Sequence, residues 1–235
     1  MKIAIMQPYF FPYIGYFSLI KNTDYFVFFD TPQYIRKGWI NRNRVLCDKG
    51  ADYITVPVEK SKRETPINQV HINYREPWRE KILGRLSYYK NKAPHFNEVY
   101  NMVRELIYNN YEDISSLAID SIKETCNYIG LDLKSNICSN MHLPEMVINE
   151  PDEWALNITK HLGYDTYINP EGGKTFFNPE KYEKNNIELL FLIQNVKPYF
   201  QGKVEFQERL SIIDVMMFCD KEEIIQMMDD IIIER

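Results

Sequence analysis

Lys2 to Asp30 reads KIAIMQPYFFPYIGYFSLIKNTDYFVFFD, and the order of its apolar and loop residues sets the fold class. Lys2 to Met6 is a short buried-strand run, broken at once by Gln7 and Pro8. Gly15 to Lys21 fits a short helix. Tyr25 to Phe29 is a second apolar run, aromatic and β-branched, bounded by Asp24 and Asp30. Strand, loop, helix and strand within about thirty residues is the spacing of a βαβ unit, whose two strands lie parallel. Open parallel sheets bind ligands beyond the carboxyl ends of their strands. The loop after the first strand and the segment after the second therefore fall on one binding edge.

Outward from this unit, Tyr53 to Val58 (YITVPV) is a third strand candidate and Gln69 to Asn73 (QVHIN) a weaker fourth. From Trp78 to Gly130 the pattern turns helical. Pro77 precedes a helix through Leu83 and Leu86. Phe96, Val99, Tyr100, Val103, Leu106 and Ile107 then recur at three- and four-residue steps, the spacing of one helix face. A third helix runs from about Ile114 to Ile129 and stops at Gly130, the residue type favoured just past a helix end. Strand signals return at Tyr164 to Ile168 and Ile187 to Ile193. Ser211 to Phe218 and Glu222 to Ile233 read as apolar helices; Asp214 lies inside the first, so its burial requires a partner. With no repeat and no low-complexity linker, residues 1–235 read as one α/β domain with a largely helical segment at about 78–130.

Composition narrows the partners. A net charge of −5 argues against a general nucleic-acid binder, which needs a basic surface to displace counterions, although a basic cleft in an acidic protein is compatible with it. The N-terminal apolar run is too short for a signal peptide, and no segment approaches the roughly 18 apolar residues of a membrane span. The four cysteines (Cys47, Cys126, Cys138, Cys219) contain no CxxC pair and read as reduced, structural thiols. These features predict a cytoplasmic protein with no membrane insertion. Seventeen tyrosines suit either a ring-stacking surface or a genome rich in Tyr, Asn, Ile and Lys codons.

Two stretches carry chemistry. In Gln7 to Tyr16 two prolines stiffen the loop and Gly15 permits close approach of backbone or ligand. Tyr13-Ile14-Gly15-Tyr16 has the shape of the HxGH signature of nucleotidyltransferases and class I synthetases, with tyrosine at both histidine positions. Tyrosine donates a hydrogen bond but brings no positive charge at neutral pH. The other stretch, Asp30 to Arg44, is DTPQYIRKGWINRNR: a carboxylate, amides, four cations and Trp39 interleaved. Arginine matches phosphate and carboxylate geometry with paired donors, and tryptophan stacks rings. A solvated charged loop is the plainer alternative.

Glu171-Gly172-Gly173-Lys174-Thr175 is not a P-loop, because the position five before the second glycine is Ile168. A Gly172-Gly173-Lys174 turn can still present backbone N–H groups to an anion, or be only a turn. His71, His95, His142 and His161 share no metal-ligand spacing, so no metal site is expected. His95 reads as a general base or as a helix-start residue.

QPYFFPYIGYFSLI (Gln7 to Ile20), DTPQYIRKGWINRNRV (Asp30 to Val45), GGKTFF (Gly172 to Phe177), and Tyr199-Phe200-Gln201 with Leu210 to Asp214 together resemble the WbqC-like family. Thr31-Pro32 departs from the family pattern, in which a second acidic residue and an aliphatic one are expected. The resemblance implies a role in bacterial O-antigen or capsule biosynthesis, in attaching an acyl or aminoacyl group such as glycine to a sugar amine.

The combined expectation is an α/β, Rossmann-like (HUP-type), mostly parallel sheet with a helical middle section. Its predicted activity is N-acyl or aminoacyl transfer to a nucleotide-linked amino sugar, with ATP or an acyl or aminoacyl thioester as the donor. Arg36, Arg42 and Arg44 are assigned the diphosphate; Trp39, Tyr13 and Tyr16 the rings. Gln7, Gln33, Asn41 and Asn43 orient polar groups, with Tyr34, Gly15 and Gly172 to Lys174 lining the site. Asp30 or His95 deprotonates the amine. Nucleotidyl transfer to a small substrate and a non-catalytic scaffold are the alternatives, and a homodimer is left open.

Overall fold

The computed structural model describes all 235 residues. Lys2–Met6 forms β1, Ile14–Lys21 α1 and Tyr25–Phe28 β2. β1 and β2 pair in parallel from Ile3–Tyr25 to Met6–Phe28, as the sequence predicts. The chain then leaves the sheet. β3 (Arg42–Cys47) and β4 (Gly50–Thr55) make a separate antiparallel hairpin, followed by α2 (Trp78–Leu86), α3 (Phe96–Tyr108) and α4 (Ile114–Ile129). The Asp113 side chain caps α4 by accepting from Ser116 N, and Gly130 ends it at φ 76°. That left-handed turn is open to glycine at no steric cost.

The sheet resumes with β5 (Ser135–Ile137) beside β2. After α5 (Glu153–His161) the chain crosses to the other side of β1 as β6 (Thr166–Pro170). α6 (Pro179–Glu183), β7 (Glu188–Gln194), α7 (Ile212–Phe218), α8 (Lys221–Asp229) and β8 (Ile231–Glu234) follow. The six strands lie in the order β5-β2-β1-β6-β7-β8, parallel except for β8. Numbered along the chain within this sheet, the order is 3-2-1-4-5-6, the Rossmann-like arrangement, with its switch point between β1 and β6.

Alternation along the strands gives each sheet face its own core. Ala4, Phe26, Phe28, Ile168 and Leu192 join a cluster of 48 buried residues with α1, the hairpin, the helical middle, α7 and α8. Ile3, Ile5, Val27, Tyr167, Leu189 and Phe191 face the other way, into a cluster of 12 completed by α5 and α6. The first face is therefore the principal core.

Three expectations are corrected. Tyr53 to Val58 contributes only its first residues to a strand, β4, which lies outside the main sheet. Gln69 to Asn73 is no strand: it holds the end of a 3-10 turn and the isolated bridges Val58–Ile72 and His71–Asp113. Glu222 to Ile233 is not one helix, since α8 stops at Asp229 and Ile231 to Ile233 pair with β7. Three consecutive β-branched residues favour the extended backbone that the exposed edge of β7 can accept. No helix is long and apolar enough to cross a membrane. All four cysteines are free, and Cys126, Cys138 and Cys219 are buried.

Asp214, fully buried on α7, has the partners its sequence context demands. It accepts from Tyr89 Oη and Tyr199 Oη, each at 2.6 Å, and from Gln201 Nε2 at 2.8 Å, while Tyr89 Oη in turn accepts from Leu46 N. Burial raises its carboxyl from 3.8 to about 6, against the pull of these three hydrogen bonds. The folded chain thus holds a proton that the unfolded chain has released, so this group's contribution to stability falls as pH rises from about 4 to about 6 and is flat above. Urea unfolding of wild type and Asp214→Asn across this window should show the wild type's relative stability dropping by roughly 3 kcal/mol. A pH-independent difference would contradict the assignment.

Candidate functional site

The loop between β1 and α1 has a buried floor and an accessible rim. Phe10, Phe11 and Pro12 are buried, and Phe11 takes φ 42°. Their backbone is held from four sides. Phe10 N donates to Trp39 O and Phe11 N to Ser121 Oγ. Asn43 Nδ2 donates to Phe11 O at 2.8 Å and Phe10 O at 3.3 Å, and Ser211 Oγ donates to Phe11 O at 2.8 Å. The rim is Gln7, Tyr9 and Tyr13, all half-buried at the carboxyl end of β1.

Across the switch point, the carboxyl end of β6 runs into a turn at Glu171–Gly173. Arg209 pairs with Glu171 at 3.5 Å. Burial raises the Tyr13 phenol above its ordinary range, with Arg209 lowering and Glu171 raising it, so both charges act on that hydroxyl. The carboxyl end of β2 adds Asp30, buried, which accepts from Ser139 N at 2.9 Å and from the Ser139 hydroxyl at 2.5 Å.

The segment that leaves β2 builds a groove of about 310 Å³ against the hairpin, lined by Tyr34, Arg36, Lys37, Asn41, Arg42, Thr55, Val58, Glu59, Lys60 and Ser61. Four cations face one carboxylate there, in a chain of net charge −5. The guanidiniums are anchored by backbone: Arg36 donates to Ser61 O at 2.7 Å, and Arg42 to Gly38 O and Lys37 O. Each guanidinium has five N–H donors, so anchoring leaves others for a ligand. The groove is thus cationic, and its anchored guanidiniums carry the paired N–H donors that suit an anion's oxygens.

The structure thus brings Tyr34, Arg36, Asn41 and Arg42 together, with Trp39 adjoining through its own loop, and sets Gln7 and Tyr13 at the switch point. Gln33 is exposed and bridges Pro66. Other expectations are corrected. Tyr16 is 2% exposed and donates to Gln7 O, so it stacks no ligand. Gly15 gives room to Tyr13: a Cβ there would lie 2.5 Å from the Tyr13 ring. The Asn41 amide is tied to Val56 O, and Asn43 serves the buried loop. Arg44 points out of the groove, toward Glu208 O.

Lys174 pairs with Glu234 of β8, and Gly173 makes space for Asn169, whose Nδ2 would meet a Cβ at 2.0 Å. His95 stands at the start of α3, its N–H on Met217 O, and shares no hydrogen bond with Asp30. It is a helix-start residue rather than a base at the sheet edge.

The profile of the WbqC-like protein family matches residues 7–226. The chain belongs to the WbqC-like family. It is also 25% identical, over 218 residues and 92% of each chain, to the uncharacterized protein Rv1507c of Mycobacterium tuberculosis (strain ATCC 25618 / H37Rv). No solved structure matches it.

In this WbqC-like chain Thr55 and Lys60 also line the groove; Lys60 belongs to the charged run Glu59-Lys60-Ser61-Lys62-Arg63, which only the hairpin's return brings to Arg36. Glu150, Asp152 and Glu153 place carboxylate oxygens within 4.8 Å of one another, but Lys181 sits on all three and supplies the cation itself.

Asn43 and Arg36 should separate cleanly in experiment. Asn43→Ala leaves the buried Phe10 carbonyl without its donor, removes one of the two donors on Phe11 O, and should lower stability by roughly 2 kcal/mol in urea unfolding. Arg36→Ala, on an exposed residue, should stay within about 0.5 kcal/mol. Equal losses would refute the division between a structural and a binding residue.

Proposed function

We propose that this WbqC-like protein is an enzyme that transfers an acyl or aminoacyl group to the amine of a nucleotide-linked sugar in surface-polysaccharide synthesis. One observation carries the reading: Arg36, Lys37, Arg42 and Lys60 converge on one groove between the segment that follows β2 and the hairpin. A diphosphate carries two or more negative charges and pairs of oxygens on each phosphorus, which the paired N–H donors of a guanidinium match. In this reading the diphosphate lies in the groove and the sugar amine points toward the carboxyl ends of β1 and β2. Asp30 is the proton acceptor there, in place of His95, with Ser139 orienting its carboxylate. The donor, ATP with a free acid or a thioester, meets the amine over the Gln7 and Tyr13 rim.

Titrating UDP- and dTDP-linked sugars into the full chain tests the binding half. Arg36→Ala and Lys60→Ala should each weaken binding about tenfold, the loss of one charge-assisted contact, and wild-type affinity should fall with salt. Unchanged affinity in both variants overturns the assignment.

A nucleotidyl-transfer reading has one observation in its favour: Tyr13-Ile14-Gly15-Tyr16 opens α1 directly after β1, where HxGH would stand. Burial of Tyr16 leaves that motif a single accessible hydroxyl and no charge. Pyrophosphate assayed after mixing with ATP or another NTP and a small acceptor distinguishes the two. Release that depends on the small acceptor and needs no acyl donor establishes nucleotidyl transfer and removes the acyl-transfer reading.

A further inference from the structure

Trp39 and Tyr53 are large aromatic residues left 42% and 37% exposed, side by side, with ring centroids 6.3 Å apart and planes 31° from parallel. They adjoin the cation groove through Arg42, one of its lining residues. The Arg42 guanidinium lies 4.3 Å from the centre of the Tyr53 ring while its N–H groups hold Gly38 O and the carbonyl of Lys37, which lines the groove. The hairpin register explains the juxtaposition. Tyr53 and Thr55 share one face of β4, so one residue presents a ring and the other lines the groove. Arg42 is opposite Thr55 and reaches diagonally to Tyr53.

We propose that Trp39 and Tyr53 form a platform for the base of a nucleoside diphosphate whose phosphates lie among Arg36, Lys37, Arg42 and Lys60. This rests on the nucleotide-linked substrate proposed above and adds where its base sits. The groove's volume is at the small end of the range for ligand sites, so a nucleotide-linked sugar extends beyond it at both ends. The exposed rings adjoin it through Arg42, which lines the groove and stacks on Tyr53. Stacking on aromatic rings accepts any base, because every base offers a π face. The platform therefore supplies affinity for the nucleotide while leaving the choice of base to other contacts. Arg42, stacked on Tyr53 and anchored to two carbonyls, holds rings and groove in one fixed relation.

The experiment is calorimetric titration of the full chain with UDP and, separately, with inorganic pyrophosphate. Wild type should bind UDP at least fivefold more tightly than pyrophosphate. Trp39→Ala should bring UDP down to the pyrophosphate level and leave pyrophosphate binding unchanged, whereas Arg36→Ala should weaken both. A second readout uses Trp154→Phe protein, in which the remaining tryptophans are Trp39 and the buried Trp78. UDP should alter its fluorescence, and the added change Trp39→Phe should abolish the response. If UDP and pyrophosphate bind equally and Arg36→Ala weakens both, the groove assignment stands and the base platform falls. If neither ligand binds, both proposals fail.

Discussion

Everything in this chain is arranged around one buried corner of backbone, Phe10-Phe11-Pro12. A buried peptide group must find a hydrogen-bond partner or cost the fold the desolvation of that group. Here the partners come from the segment after β2 through Trp39, from the hairpin through Asn43, from α4 through Ser121, and from α7 through Ser211 and the Pro12 O bond to Ile212 N. Parts of the chain separated by up to 200 residues thus meet on three residues. Phe11 at φ 42° is a strained conformation for a residue with a Cβ, and such strain persists only where surrounding contacts over-determine it. The clamp fixes the rim residues Gln7, Tyr9 and Tyr13 relative to the hairpin, and hence the switch point relative to the cation groove.

The same economy governs the charged residues. Arg36 and Arg42 are tethered by backbone carbonyls, so their orientation is set before a ligand arrives and less side-chain entropy is lost on binding. Asp214 does for the C-terminal part what the loop clamp does for the N-terminal part: one buried carboxylate joins Tyr89 of the helical middle to Tyr199 and Gln201. The Tyr199 to Gln201 and Leu210 to Asp214 blocks that mark the family resemblance are therefore structural here, while the Asp30 to Arg44 block supplies half of the groove's lining.

Much of the sheet is legible because short apolar runs and the βαβ spacing are local. β1, β2, β6 and β7 appear within a few residues of where the apolar runs put them, and α3 and α4 follow their 3.6-residue stripes. Arg42 to Arg44 reads as part of a binding segment because its charges mask a strand pattern, Asn43 and Val45 buried against half-buried Arg42 and Arg44. The candidate site was half legible. Arg36, Arg42 and Trp39 announce themselves by type, but an asparagine that orients a ligand and one that holds a buried loop look alike in a sequence. Only their buried partners assign Asn43 and Tyr16 to the interior.

By itself, the sequence determined the α/β class, the carboxyl edge that carries the loops, and the family, because each rests on local spacing or on residue order. It also required a partner for Asp214 without naming one. Tertiary structure alone decided which polar side chains face solvent and which serve the interior. It also decided that Lys60 and Tyr53 join Arg36 and Trp39, and that Lys181 closes the acidic cluster at Glu150 to Glu153. Those outcomes depend on contacts between distant segments, and no local pattern of charge or hydrophobicity encodes which buried donor meets which acceptor.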